Sequence, residues 1–209
     1  MTRTRWIIFA VLVLLVFGGL VAFSKIQTAN SPKSEGSKNV YGLQESHVKL
    51  VEYVDFQCEA CKAYYPTMKE IKEKYKDQVT IQIKHLPIAS SHPYAKMAAG
   101  YAESAAKQGK FFEMHDKIFE GQTLWQSAAD PKQYFNTYAE ELGLDMDRLQ
   151  SDLTSTEISD IINTDSDEAR SLGATGTPTF VLNGKKIEPG NSVEEISKIL
   201  DEALSQNRE

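Results

Sequence analysis

Cysteine is scarce in this chain. Two cysteines among 209 residues exclude a scaffold held together by several disulfides. Positive charge is also in deficit. The formal net charge is −6, and phosphate binding needs clustered lysine and arginine, so no nucleic-acid partner is expected. Glycine and proline number only 12 and 7, too few for a collagen-like or low-complexity chain. There is one long hydrophobic run, which excludes a polytopic membrane protein, and there is no internal repeat. What is present is ordinary. Hydrophobic residues make up 41% and charged residues 25%, the composition of a globular domain. The length suits one domain with an insertion.

The hydrophobic run, WIIFAVLVLLVFGGLVAF over residues 6–23, carries no charge. As a helix it would be roughly 27 Å long, close to the thickness of a bilayer core. Arg3 and Arg5 precede it and no acid does, so the N-terminus stays in the cytoplasm and the remainder is exported. A cleaved signal peptide is the alternative, with Ala22 and Ser24 as a small-x-small cleavage site. The favoured reading is an uncleaved anchor, because the run exceeds a usual signal core. Residues 24–39 are rich in Ser, Asn, Lys and Gly and read as a flexible tether. All 29 acidic residues lie beyond the run, so the exported part is more acidic than the whole chain.

Val48 to Val54 reads as a strand, and a helix is expected from about Glu59 to Lys76, with Pro66 predicting a kink or break. Strict alternation over Gln78–Lys84 predicts a strand buried on one face only. Helical segments follow at 93–107, 111–120, 131–142, 146–153 and 157–172. Strands return at Thr179–Leu182 and Lys185–Ile187 around Asn183-Gly184, the strongest two-residue hairpin signal. A last helix runs from about Ser192 to Leu204, with Ser192 and Glu195 spaced as a capping box. The order is β-α-β, helical block, hairpin, helix, which fits helices packed on a small mixed sheet.

Both cysteines fall in Cys58-Glu59-Ala60-Cys61, between the first strand and the first helix. Helix N-termini present free N–H groups and a dipole that favour a thiolate. A thiolate there attacks a disulfide, and a second cysteine one turn along resolves the mixed disulfide. Cys58 takes the first role and Cys61 the second. Three plainer readings compete. Zinc would need two more ligands, and His47, His85, His92 and His115 are not paired at ligand spacing. A structural disulfide closing so small a ring removes little chain entropy. An inert buried pair does not suit an exported protein. No metal and no cofactor are expected. A proline also enters a strand at Gly176-Thr177-Pro178-Thr179-Phe180, where a cis bond is one reading and an ordinary turn the other. His92 reads as a cap or surface residue and His115 as a packing residue, and Asp55 suggests no role.

Residues 52–61, EYVDFQCEAC, resemble the active-site strand and motif of the DsbA-like thiol–disulfide oxidoreductases, and residues 176–180 resemble that family's cis-proline loop. KHLPI at 84–88, HPYAKMAA at 92–99, QGKFFEMHDKIF at 108–119 and YAEELGLD at 138–145 are similar to its helical insertion. The resemblance implies an α/β fold, thioredoxin-like, with an inserted all-helical subdomain, preceded here by the transmembrane helix. The implied organisation is a cytoplasmic N-terminus at 1–5, anchor at 6–23, linker at 24–39, first fold segment at 40–90, insertion at 91–172 and second fold segment at 173–209. It further implies that Pro178 is cis and faces the disulfide, that the backbone of Thr177 pairs with substrate, and that Glu52 is a buried acid taking the proton of Cys61. The family's best-known oxidases carry Pro-His between the cysteines, where this chain has Glu59-Ala60. A negative charge there is expected to raise the Cys58 pKa and weaken oxidising power.

The implied activity is donation of disulfides to exported proteins, with reoxidation by a quinone-linked membrane partner and a monomeric state. A reductase or isomerase of the same fold is the alternative, and a non-catalytic chaperone or binding module is a reading from a different class.

Overall fold

The computed structural model describes residues 35–206. The expected anchor at 6–23 lies outside these residues. Among the described residues no helix is long and apolar enough to cross a membrane.

Five strands form one sheet: β1 (Asn39–Gly42), β2 (Lys49–Val54), β3 (Thr80–His85), β4 (Thr179–Leu182) and β5 (Lys185–Ile187). Their spatial order is β1-β3-β2-β4-β5. Strands β2 and β3 are parallel, joined by α1 (Glu59–Tyr75), while β1, β4 and β5 pair antiparallel with their neighbours. The central register places Glu52 of β2 beside Ile83 on one side and Phe180 on the other. The β4–β5 turn uses Asn183 and Gly184, both with positive φ (49° and 79°), the conformation that a two-residue hairpin of this type demands.

Helix α1 and the last helix, α8 (Val193–Ser205), pack together against the sheet. Their contact buries Met68, Ile71 and Tyr75 with Ile196, Leu200 and Leu204 over Leu50, Ile81 and Phe180. Each such aliphatic side chain contributes about 1.5–3 kcal/mol on burial, which outweighs the one helical hydrogen bond that Pro66 removes. Accordingly α1 runs through Pro66 without the break that the sequence suggests. Ser192 caps α8 by accepting from the Glu195 N–H at 3.2 Å.

Between β3 and β4 the chain makes α2 (Ala95–Ala106), α3 (Phe111–Glu120), α4 (Gln122–Trp125), α5 (Lys132–Glu141), α6 (Met146–Leu153) and α7 (Thr156–Ser171). They share a core with Phe56, Cys61 and Tyr65 at the end of the sheet.

Two expectations are corrected, and one element is new. Strand β3 is buried at all six positions rather than on one face, because α7 packs along its second face and brings Asp165 and Ser166 to the backbone of His85. The stretch from Gly36 to Asn39, expected in the flexible linker, is part of the fold. Ser37 is buried, donates its N–H to Asp165 at 2.9 Å and its hydroxyl to Glu103 at 2.6 Å, and Asn39 opens β1. The short helix α4 has no counterpart in the expected elements.

Candidate active site

Cys58 is the N-cap of α1, in extended conformation (φ −72°, ψ 126°), with no side-chain cap bond. The turn before it is closed by the Cys58 N–H donating to the Asp55 carbonyl at 3.1 Å. A helix starting here leaves N–H groups of the first turn aimed at the Cys58 sulfur. The sulfur also lies 3.4 Å from the Thr177 carbonyl oxygen, across the Thr177–Pro178 bond, which is cis. Cys58, Thr177 and Pro178 are thus brought together from segments 119 residues apart.

The two thiols are free and differ in environment. Cys58 is half-buried and its pKa is lowered to about 5. The largest cause is a hydrogen bond from the Cys61 thiol. Burial opposes it, and the Thr177 hydroxyl and the N–H groups of Cys61 and Ala60 assist it. Cys61 is 1% exposed, and burial, with the neighbouring Cys58, pushes its thiol well above the ordinary value. The Asp55 N–H points at its sulfur, 3.5 Å away. The Thr177 hydroxyl is buried and, among the described residues, has no other hydrogen-bond partner, so it is free to serve the cysteine sulfurs.

Glu59 and Ala60 are exposed at the start of α1. The net shift at Cys58 is downward in spite of the negative charge expected beside it at Glu59. The physical reason is the medium. These donors bond to the sulfur directly, whereas an exposed carboxylate is screened by water.

Glu52 is 3% exposed on β2, and burial raises its carboxyl to about 7 against the pull of the Lys72 ammonium. Among the described residues no hydrogen bond joins it to either cysteine. Lys72 is itself buried on α1. Its Nζ lies 3.8 Å from Asp116 and about 5 Å above the rings of Tyr41 and Phe112. His115 is buried among Phe56, Tyr65 and Phe119, and burial lowers its pKa to about 4. It therefore packs as a neutral ring, in keeping with its expected role.

Two clefts adjoin the Cys58–Thr177 contact. One, of about 440 Å³, is lined by Gln57–Ala60, His92, Gln126 and Ser127. The other, of about 340 Å³, is lined by Tyr64, Thr175–Phe180 and Lys186–Pro189. Several residues around the cysteines carried no signal in the sequence. The amide of Gln122 donates to the Phe56 and Cys58 carbonyls at 2.8 and 3.1 Å, clamping the turn from α4. Asp55 is buried and bonded to His92, Nδ1 to Oδ2, at 2.8 Å. An acid three residues before a reactive cysteine was visible; its histidine, 37 residues on, was not.

A thioredoxin family model matches residues 34–202. A Na(+)/H(+) antiporter NhaA 3 of Salinispora tropica is 36% identical over 177 residues, which cover 85% of this chain and 26% of the antiporter. The chain thus spans about a quarter of the length of that relative. A probable disulfide bond formation protein D of Bacillus anthracis is 27% identical over 208 residues, covering 96% of this chain and 95% of the other. Among solved structures, oxidised BdbD from Bacillus subtilis superposes with a TM-score of 0.68 at 21% identity, covering 83% of this chain and 97% of that one. A thioredoxin-like oxidoreductase from Silicibacter pomeroyi gives 0.68 at 24%, with coverage of 84% and 95%.

Proposed function

The chain belongs to the thioredoxin family, and from that premise we propose that it is a membrane-anchored, extracytoplasmic thiol–disulfide oxidoreductase that donates disulfides to exported proteins. The observation that carries the reading is the unequal thiol pair. Cys58 at the start of α1 is held toward the thiolate, while its partner one turn along is held toward the thiol. That inequality decides which sulfur exchanges with substrate and which closes the intramolecular bond.

Substrate thiolate attacks Cys58 of the Cys58–Cys61 disulfide. A bond forms between the substrate sulfur and Cys58, and Cys61 leaves with the electron pair. Glu52, with a pKa of about 7, is the acid that supplies the proton to Cys61 and takes it back in the reverse step. A second substrate thiolate then attacks the substrate sulfur of the mixed disulfide. Cys58 departs as a stabilised thiolate, which drives the donation forward. Thr177 and Pro178 form the wall against which the substrate backbone lies, and the 340 Å³ cleft beside them receives flanking side chains. Glu59 and Ala60 set the potential more weakly than the donors at the sulfur.

The apolar run at 6–23 behind Arg3 and Arg5 supports anchoring, and an anchor keeps the domain near a quinone-linked membrane partner that restores the disulfide. The protein works as a monomer. The name of the Bacillus anthracis relative supports the donor direction. The reduction potential of the full chain against glutathione tests it. A value near about −120 mV supports donation, whereas one near about −270 mV assigns a reductase. Failure of the pair to exchange with glutathione at all would leave only a binding module.

A further inference from the structure

The cleft that holds Cys58 also holds an acid–base pair that the steps above do not use. Asp55 is 1% exposed, directly after β2. Its carboxylate accepts from the N–H of Gln57 at 2.8 Å, from the N–H of Ile88 at 2.7 Å, and faces Nδ1 of His92 at 2.8 Å. The carboxylate oxygen is the acceptor of this contact, so Nδ1 is the donor, and Nε2 is the ring nitrogen that the neutral form would offer as a base. The His92 side chain is 25% exposed and lines the 440 Å³ cleft together with Cys58.

The backbone that carries His92 is pinned on both sides of the residue. The His92 N–H donates to the Ile88 carbonyl at 2.9 Å, and the Tyr94 N–H donates to the side chain of Gln57, next to Cys58, at 2.8 Å. The charged and titratable groups that face His92 are Asp55 beneath it and Cys58 and Glu59 across the cleft, while Gln57, Gln126 and Ser127 are neutral. An imidazole oriented by a buried carboxylate and lining the cleft of a reactive sulfur has the geometry of a general base.

We propose that His92 is the base that ionises the incoming substrate thiol, with Asp55 as its positioning residue; the proposal rests on the reading of Cys58 and Cys61 as the exchanging pair. The substrate S–H proton passes to Nε2. The resulting thiolate bonds to the Cys58 sulfur, the Cys58–Cys61 bond breaks, and its electron pair leaves on Cys61. The imidazolium formed is stabilised by the Asp55 carboxylate. In reverse, the imidazolium returns the proton to the departing substrate sulfur. The step matters because an ordinary cysteine, with a pKa of about 8.5, is only about 3% thiolate at pH 7. Complete ionisation in the cleft accelerates attack by up to about 30-fold.

The test uses the full chain in its disulfide form and two thiol probes at pH 7. One is a short cysteine peptide, and the other is thionitrobenzoate, an aryl thiol already ionised at that pH. His92→Gln is expected to slow oxidation of the peptide by about five- to 30-fold, within the bound set by thiol ionisation, and to leave oxidation of thionitrobenzoate unchanged. Between pH 5.5 and 9 the variant's peptide rate is expected to follow the peptide's own ionisation, while the wild type holds its rate below it. Equal losses with both probes, or no loss with either, would overturn the proposal. So would a raised Cys58 titration in the variant, since His92 would then act on the thiolate rather than on substrate. A wild type that oxidises neither probe would instead overturn the oxidoreductase reading itself.

Discussion

Replacing Glu52 with glutamine has a consequence for stability that depends on pH in a calculable way. The carboxyl has an ordinary value of 4.5 and is raised to about 7 in the fold, by burial. Below pH 4.5 it is protonated in both states and costs nothing. Between 4.5 and 7 the folded protein keeps a proton that the unfolded chain has released, so stability falls as pH rises. Above the folded value the loss is complete. At 1.36 kcal/mol per pH unit it amounts to about 3 kcal/mol. Glu52→Gln removes the ionisation and hence the loss. The figure is an upper bound, because the Glu52 carboxylate also helps hold the buried Lys72 ammonium, leaving Asp116 at 3.8 Å as its remaining counter-charge. The buried amide adds its own cost of about 1–3 kcal/mol, but that cost is the same at every pH. The quantity to read is therefore the change with pH. Urea unfolding of the reduced wild type and variant, at intervals from pH 4 to 8.5, gives the difference, from which thiol titration cancels. The variant is expected to gain about 2–3 kcal/mol on the wild type over that interval. A difference that stays constant with pH would refute the assignment of Glu52 as a buried acid poised near neutrality.

Other outcomes follow from the same contacts. The thiolate absorbance of reduced wild type is expected to titrate at about pH 5, and Thr177→Val to raise that midpoint by removing a hydroxyl donor; an unchanged midpoint would mean that the hydroxyl does not reach the sulfur. Exchanging Glu59-Ala60 for Pro-His is expected to make the protein more oxidising against glutathione, and an unchanged or lower potential would show that this dipeptide does not set it. Ser192→Ala is expected to cost about 1 kcal/mol in urea unfolding through loss of the α8 cap, with no effect on the thiolate titration.

What could be read from the sequence was what depends on near neighbours. The Asn183-Gly184 hairpin, the Ser192 cap and the start of α1 at the cysteine pair are set by residues within a few positions of one another. Glu52 was legible as a buried acid through the resemblance of residues 52–61 to a known active-site strand, and it is buried on β2. The rest depends on partners far along the chain. Strand β1 is four residues with little apolar pattern, and it exists because its backbone completes the edge beside β3, some 40 residues on. The second face of β3 is buried by α7, so alternation at Val79, Ile81 and Ile83 could not reveal it. The clamp from Gln122, the Lys72–Asp116 pair and the Asp55–His92 bond each join segments 37 or more residues apart. At Cys58 only the charge of Glu59 was legible, whereas the donors around the sulfur are backbone N–H groups, the Thr177 hydroxyl and a buried thiol.

The central claim is that Cys58 attacks or is attacked and that Cys61 resolves. Single-cysteine variants of the full chain, expressed in cells and separated without reductant, test it directly. Cys61→Ala leaves a nucleophile that cannot be released and is expected to accumulate mixed disulfides with exported proteins, while Cys58→Ala is expected to accumulate none. Mixed disulfides through Cys61 in the Cys58→Ala variant, or none in either, would contradict the account.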